Sequence, residues 1–233
     1  MALSHSEIAG LIDVSCVRAN VSYRELNQVA GAAIKHNFIC AFAMPCHTEK
    51  LRDLLKGSPV KLGGVVGFPS GADTAAQKVE GARYMKSIGC QEIDMVINVG
   101  AVLSGDDDYV REEIRRVIEA AHPLPVKSIL ECAYLKDEEI VRACRLAVEA
   151  GVSFVKSGTG WANKPTTVET IRIMKKAVGD KTQIKAAGGV RTLAALEEMY
   201  AAGCRRFGIG LTSALAILKE VYRREGEPFE EIF

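Results

Sequence analysis

The sequence predicts a (β/α)8 barrel, and three features point there. Short apolar or β-branched runs alternate with amphipathic stretches of helical length. The alternation occurs eight times in 233 residues, and Gly57, Gly89, Gly151, Gly179 and Gly203 each follow a helical stretch, where a left-handed residue commonly ends a helix. Strict alternation argues for parallel strands joined by right-handed crossovers, and eight such units close naturally on themselves. An open doubly wound sheet competes with this fold. It would normally carry a glycine fingerprint after its first strand, whereas this chain has Asp13-Val14-Ser15-Cys16-Val17-Arg18, without a glycine.

Taken in order, the first strand is expected over 11–17, ahead of a helix over 23–36. The second strand, 38–43, leads into a helix over 47–56, and the third, 62–68, into one over 72–88. Period-two alternation marks 92–98 as the fourth strand, with 94, 96 and 98 on one face, followed by a helix over 107–121. Strands over 126–132, 154–157, 183–187 and 206–210 precede helices over 136–150, 166–178, 192–202 and 212–224. No linker, low-complexity tract or change of composition interrupts the series, so residues 1–233 read as one domain.

Bulk properties exclude several partners. Thirty Lys and Arg against 29 Asp and Glu give a net charge of +1, no electrostatic case for nucleic acid or an anionic membrane. No apolar run reaches membrane-spanning length. The start, Met1 to Gly10, has no basic segment followed by an apolar one, so a secretory signal is not expected. Seven cysteines without a C-x-x-C pair read as reduced thiols of a cytoplasmic protein, with Cys16, Cys40 and Cys132 as buried packing. The four histidines, 5, 36, 47 and 122, form no H-x-x-x-H or H-x-H pair and close no strand, so neither metal nor cofactor is expected. A small-molecule partner is.

In a barrel, chemistry gathers at the C-terminal ends of strands. Asp13, Asp94, Asn98, Glu131, Lys156 and Lys185 fall within or at the ends of predicted strands, where a purely structural core would use Val, Ile or Ala. Lys156 ends Val152-Ser153-Phe154-Val155-Lys156, Lys185 lies one βα unit further on, and glycines follow both. A desolvated lysine beside a second cation loses its proton readily and becomes a carbonyl nucleophile. The plainer alternative is a lysine snorkelling into solvent. Asp94 suits a carboxylate that holds one lysine charged and relays protons; the plainer alternative is a buried ion pair. Lys127 and Glu131 share a strand face and suggest a supporting pair. Gly188-Gly189 and Gly210-Leu211-Thr212-Ser213 follow the last two strands just ahead of helices, which suits an anion such as phosphate, or simple helix capping by Thr212 and Ser213.

These residues resemble the deoxyribose-phosphate aldolase family, class I barrel enzymes. The resemblance runs over nearly the whole chain, most specifically at Val65-Val66-Gly67-Phe68-Pro69-Ser70-Gly71-Ala72 and Glu92-Ile93-Asp94-Met95-Val96-Ile97-Asn98-Val99-Gly100. Lys127-Ser128-Ile129-Leu130-Glu131, Phe154-Val155-Lys156 with Thr159-Gly160, and Lys185-Ala186-Ala187-Gly188-Gly189-Val190-Arg191 complete the pattern. The resemblance implies reversible cleavage of 2-deoxyribose 5-phosphate to acetaldehyde and glyceraldehyde 3-phosphate, in a homo-oligomer. It implies a Schiff base on Lys156, with Lys185 depressing its pKa and Asp94 as a proton-relay acid working with a bound water. Asp13, Ser15, Cys40, Lys127 and Thr159 would contact substrate, and Gly160, Gly188, Gly189, Gly210, Thr212 and Ser213 would hold its phosphate.

The chain departs from the family at Asp13-Val14-Ser15, at Cys40-Ala41-Phe42-Ala43-Met44-Pro45, at Cys132-Ala133 after Glu131, and at Ser157-Gly158. It departs again at Trp161-Ala162-Asn163-Lys164-Pro165, where the family has a glycine-rich run, and at Gly210-Leu211-Thr212-Ser213. The C-terminal tyrosine of some members has no counterpart in Glu230-Glu231-Ile232-Phe233. The Schiff-base apparatus is retained and the walls are altered. That leaves two alternatives: the same chemistry on another aldehyde or sugar phosphate, or a barrel that binds a sugar phosphate without catalysis.

Overall fold

Eight short runs of apolar and β-branched residues pair side by side in a computed structural model, which describes residues 3–230. Their order is β1 (Ile12–Cys16), β2 (Cys40–Ala43), β3 (Lys61–Val66), β4 (Glu92–Val96), β5 (Val126–Ile129), β6 (Phe154–Lys156), β7 (Gln183–Ala187) and β8 (Arg206–Gly210). Every ladder is parallel, and β8 pairs with β1 to close the barrel. The chain is therefore a (β/α)8 barrel. Met1, Ala2, Glu231, Ile232 and Phe233 lie outside the described residues, including most of the ending in which the resemblance finds no tyrosine.

The helices are α1 (His5–Ala9), α2 (Tyr23–His36), α3 (Pro45–Leu55), α4 (Ala75–Ser87), α5 (Val99–Ser104), α6 (Asp107–Ala121), α7 (Asp137–Ala150), α8 (Val168–Val178), α9 (Leu193–Ala201) and α10 (Leu211–Glu225). Side-chain oxygens of Ser22, Thr74, Asp106, Thr167 and Thr192 accept the first free N–H groups of α2, α4, α6, α8 and α9. Gly57, Gly89, Gly151, Gly179 and Gly203 all have positive φ, as expected of residues that end helices. The helices bury one face against the outer surface of the strands, and Val14, Ala41, Ile93, Val155, Ile184 and Phe207 join that layer.

Two helices lie outside the sequence expectation. Ser4 and Glu7 form a reciprocal capping box that starts α1, a Ser-x-x-Glu signature within reach of the sequence. At the other site, β4 stops at Val96 and Asn98 turns to accept the Ala101 N–H at 3.0 Å, starting α5. Asn98 therefore caps a helix and does not continue the polar strand face expected over 92–98.

Candidate active site

Lys156 closes β6, and the β6–β7 ladder pairs it with Lys185. Side chains on the same face of adjacent strands stand about 5 Å apart, so two ammonium groups there repel unless an anion lies between them. Asp94, on β4 across the barrel, supplies it. Its Oδ2 accepts from Lys156 Nζ at 2.8 Å and from Lys185 Nζ at 2.7 Å, while its Oδ1 accepts from Lys127 Nζ at 3.2 Å.

Two more carboxylates complete the layer beneath. Asp13 Oδ2 lies 2.5 Å from Lys185 Nζ, and Asp13 Oδ1 accepts from Arg206 Nε at 2.9 Å. Glu92 accepts from Arg206 Nη2 at 2.8 Å, from Lys61 Nζ at 3.0 Å and from Lys127. Glycines leave room for these long side chains. A Cβ on Gly208 would lie 3.2 Å from Lys185 Cε, and one on Gly63 would lie 2.2 Å from the Phe42 ring. Phe42 in turn presents its ring 4.2 Å from Lys185 Nζ and 5.0 Å from Lys127 Nζ.

Four buried cationic side chains, Lys127, Lys156, Lys185 and Arg206, thus face three carboxylates, Asp13, Glu92 and Asp94. An unbalanced charge in such a place is costly, and the cluster balances if one amine is neutral. The amine that gives up its proton most readily is Lys156. Burial, the largest cause, draws it down to about 8; Asp94 opposes the shift and the charge on Lys185 adds to it. Lys127 moves the other way: burial works against its charge, but Asp94, Asp13 and Glu92 together hold it above the ordinary lysine value. Asp94 is fully buried, yet Lys127, Lys156 and Lys185 outweigh that and keep its carboxyl well below the usual range. Glu92 likewise falls to about 2, against burial, under Lys127 and Arg206.

Above this layer lies a cavity of about 20 Å³ whose wall includes Asp13, Ser15, Lys156, Thr159 and Lys185. Thr159 is fixed from behind, because its N–H lies 3.2 Å from both oxygens of Glu131 and its hydroxyl donates to Oε2. Glu131 occupies the space that a side chain at 158 would need: a Cβ on Gly158 would sit 2.7 Å from Oε1. Two grooves flank the cavity. Gly160, Gly188 and Gly189, all with positive φ, line one together with Arg191. Gly210, Thr212 and Ser213 line the other with Ser15, Arg18 and Arg24, at the start of α10, where no side chain caps the helix.

The oxygens of Asp13 and Glu92 and the thiol of Cys40 lie within 4.8 Å of one another, a spacing that suits a metal ion. Both carboxylates are already committed to Arg206 and to lysines, which supply the cationic charge at that point.

Known aldolases share the sequence and the fold that carry this geometry. The model of the DeoC/LacD family aldolases matches residues 11–220. The chain belongs to that family. It is 43% identical over 227 residues to the deoxyribose-phosphate aldolase of Klebsiella pneumoniae subsp. pneumoniae, covering 96% of this chain and 91% of that one. It is also 43% identical to the enzyme of that name from Sinorhizobium medicae over 220 residues, 94% of this chain and 89% of that one. The tetrameric deoxyribose phosphate aldolase of Aeropyrum pernix superimposes with a TM-score of 0.85 at 25% identity, over 93% of this chain and 92% of that one.

In this DeoC/LacD aldolase the structure brings Lys156, Lys185, Asp94, Asp13, Ser15 and Thr159 to one place, and puts all six expected phosphate residues at the same mouth but on two separate grooves. Cys40 and Lys127, expected at the substrate, are fully buried in the layer below and line no part of the cavity. Burial pushes the Cys40 thiol well above its ordinary value, consistent with packing rather than reactivity. The expected Lys127–Glu131 pair does not form: Lys127 turns to Glu92 and Asp94, while Glu131, past the end of β5 with φ of 51°, turns outward to Thr159. Glu92 and Arg206 are site residues that the sequence expectation omits. Each opens a strand, and each has a charge at a position whose period-two partners, Asp94 and Gly208, face the barrel interior.

Proposed function

We propose that the chain, as a single domain over residues 1–233, is a class I aldolase that cleaves 2-deoxyribose 5-phosphate reversibly to acetaldehyde and glyceraldehyde 3-phosphate through an imine on Lys156. The observation that carries this reading is Lys156 Nζ, drawn down to about 8 at the wall of a cavity and bonded to a carboxylate shared with Lys185. At pH 7 an amine of that pKa is free in about a tenth of molecules, hundreds of times more than an ordinary lysine.

The free amine adds to the aldehyde carbon of the open-chain sugar and expels water to give an iminium. That iminium then draws in the electron pair of the bond between the second and third sugar carbons, which becomes the enamine double bond, as the hydroxyl on the third carbon loses its proton to form the new aldehyde. Glyceraldehyde 3-phosphate leaves, the enamine takes a proton at its terminal carbon, and hydrolysis releases acetaldehyde and Lys156. Asp94 is held as a carboxylate by three lysines, so its part is to position the amines of Lys156 and Lys185 and to steady their charge while protons move, rather than to act as a standing acid. The two flanking grooves, with Arg191 in one and Arg18 and Arg24 in the other, present N–H groups and cations suited to the phosphate.

Partners in this reading are the phosphorylated sugar and aldehyde and further copies of the same chain, in the cytoplasm. Among the described residues no helix is long and apolar enough to cross a membrane. Treatment with acetaldehyde and borohydride, read by intact mass, tests the proposal: a single ethyl adduct is expected at Lys156 and none in Lys156→Ala. No adduct at neutral pH would favour a barrel that only binds. No product from glyceraldehyde 3-phosphate, with the adduct still formed, would point to a different acceptor.

A further inference from the structure

Trp161, the chain's only tryptophan, is 45% exposed, although its indole is bonded across the barrel mouth. Its Nε1–H donates to the Val17 carbonyl at 2.9 Å, beyond the end of β1. Its ring meets Phe68, beyond the end of β3, edge to face with centroids 6.4 Å apart. Its own N–H donates to Thr159 Oγ1 at 3.0 Å. Val17, Phe68 and Thr159 come from three separate strand ends, and all three line the cavity above Lys156. The residues that hold Trp161 are therefore the rim of that cavity. Below it, about 20 Å³ of space accommodates roughly one water-sized group, less than any aldehyde requires.

We propose that Trp161 is the cover of the Lys156 cavity: its indole leaves the Val17 carbonyl and Phe68 to admit the aldehyde, then packs over the bound chain and limits how large an acceptor the cavity accepts. This deepens the aldolase reading and rests on it for the identity of the aldehyde. One exposed hydrogen bond and one edge-to-face contact are weak enough to open and close during turnover, yet strong enough to keep the closed form dominant.

A single tryptophan makes the test direct, since emission reports this residue alone. Adding 2-deoxyribose 5-phosphate to the wild-type protein is expected to change Trp161 emission and its quenching by acrylamide. Labelling of Lys156 by acetaldehyde and cyanoborohydride is expected to run about five-fold faster in Trp161→Ala, the factor that one net hydrogen bond corresponds to. It should run at an intermediate rate in Trp161→Phe, which keeps the ring and loses the N–H. Trp161→Ala is also expected to lower KM for aldehydes larger than glyceraldehyde 3-phosphate. Unchanged emission, or wild-type labelling rates and KM values in folded variants, would overturn the cover. Should Trp161→Ala fail to fold, Trp161→Phe and the wild-type emission still decide. Absent labelling of wild-type Lys156 would instead count against the aldolase reading, leaving the emission to decide on Trp161.

Discussion

Lys156 and Lys185 are direct partners in the β6–β7 ladder, and their amines donate to one and the same oxygen, Asp94 Oδ2. Burial is the main force on the Lys156 proton, but the Lys185 charge pushes in the same direction, while Asp94 resists. The shared oxygen sets how strongly it can resist, because it must also neutralise Lys185.

Removing Lys185 therefore takes away a repelling charge and frees Asp94 for Lys156, and both effects raise the Lys156 pKa. In the wild-type protein, kcat/KM is expected to climb with pH up to about 8 and then level, since imine formation requires the free amine. In Lys185→Met the acidic limb is expected to move to higher pH, and activity at pH 7 should fall by roughly ten-fold for every pH unit that the limb moves. A profile that keeps its midpoint near that of the wild type would show that Lys185 does not govern the Lys156 proton.

The lowered Lys156 pKa also affects stability. An ordinary lysine in the unfolded chain titrates at 10.5, and folded Lys156 at about 8, so between those values the unfolded chain binds more protons than the folded one. Stability therefore rises with pH across that window, and below about 8 the fold carries the full cost of charging a buried amine. Lys156→Met removes this dependence. Denaturation curves compared at pH 7 and above pH 10 should show the wild type gaining up to about 3 kcal/mol relative to Lys156→Met. Equal differences at both values would indicate that the folded amine titrates like a free one.

The barrel was legible because its signals are local and repeated: eight apolar runs, helix stretches between them, and Gly57, Gly89, Gly151, Gly179 and Gly203 at their ends. Lys156, Lys185 and Asp94 stood out because each interrupts an apolar run. What the sequence left out is the depth at which a side chain sits. Lys127 and Lys185 both lie inside the barrel on alternating strands, yet Lys185 lines the cavity and Lys127 is sealed beneath it, a difference set by strand stagger that no local pattern records. Strand alternation likewise pairs Glu131 with Lys127, but alternation ceases to hold once β5 ends at Ile129. Asn98 left its strand for the same reason, drawn off by the first turn of α5.

Gly158 provides a test of how Thr159 is held. It needs no left-handed backbone, so a substitution there acts through contact alone: an added Cβ would meet Glu131 Oε1 at 2.7 Å. Glu131 must then yield the position from which it accepts the Thr159 N–H and hydroxyl. Gly158→Ala is expected to cost about 1 to 3 kcal/mol of stability, the range of overpacking, and to lower kcat/KM more than it lowers acetaldehyde labelling of Lys156. Equal loss in both would place Thr159 in the service of the amine rather than of the sugar.

Lys78 and Glu113 form a buried ion pair outside the site, with side chains wholly removed from solvent and 2.8 Å between Nζ and Oε1. Burial lowers the Lys78 pKa and raises that of Glu113, so each would shed its charge were the other absent. The pair ties two loops together. Lys78 Nζ donates to the Gly71 carbonyl at 2.7 Å, holding the segment that carries Phe68 to the cavity rim, and Glu113 Oε2 accepts the Asn98 N–H at 3.0 Å beyond the end of β4. Lys78→Met leaves Glu113 buried without its cation and is expected to cost about 3 to 5 kcal/mol in chemical denaturation. The double variant Lys78→Met with Glu113→Gln should recover part of that loss, because no unpaired charge remains while the amide can still accept the Asn98 N–H. KM should be raised in the single and the double variant alike, since in both the Gly71 carbonyl lacks its donor and the segment that carries Phe68 is held less firmly. A double variant as unstable as the single one would mean that the hydrogen bond from Lys78 to the Gly71 carbonyl, rather than the charge pair, holds these loops.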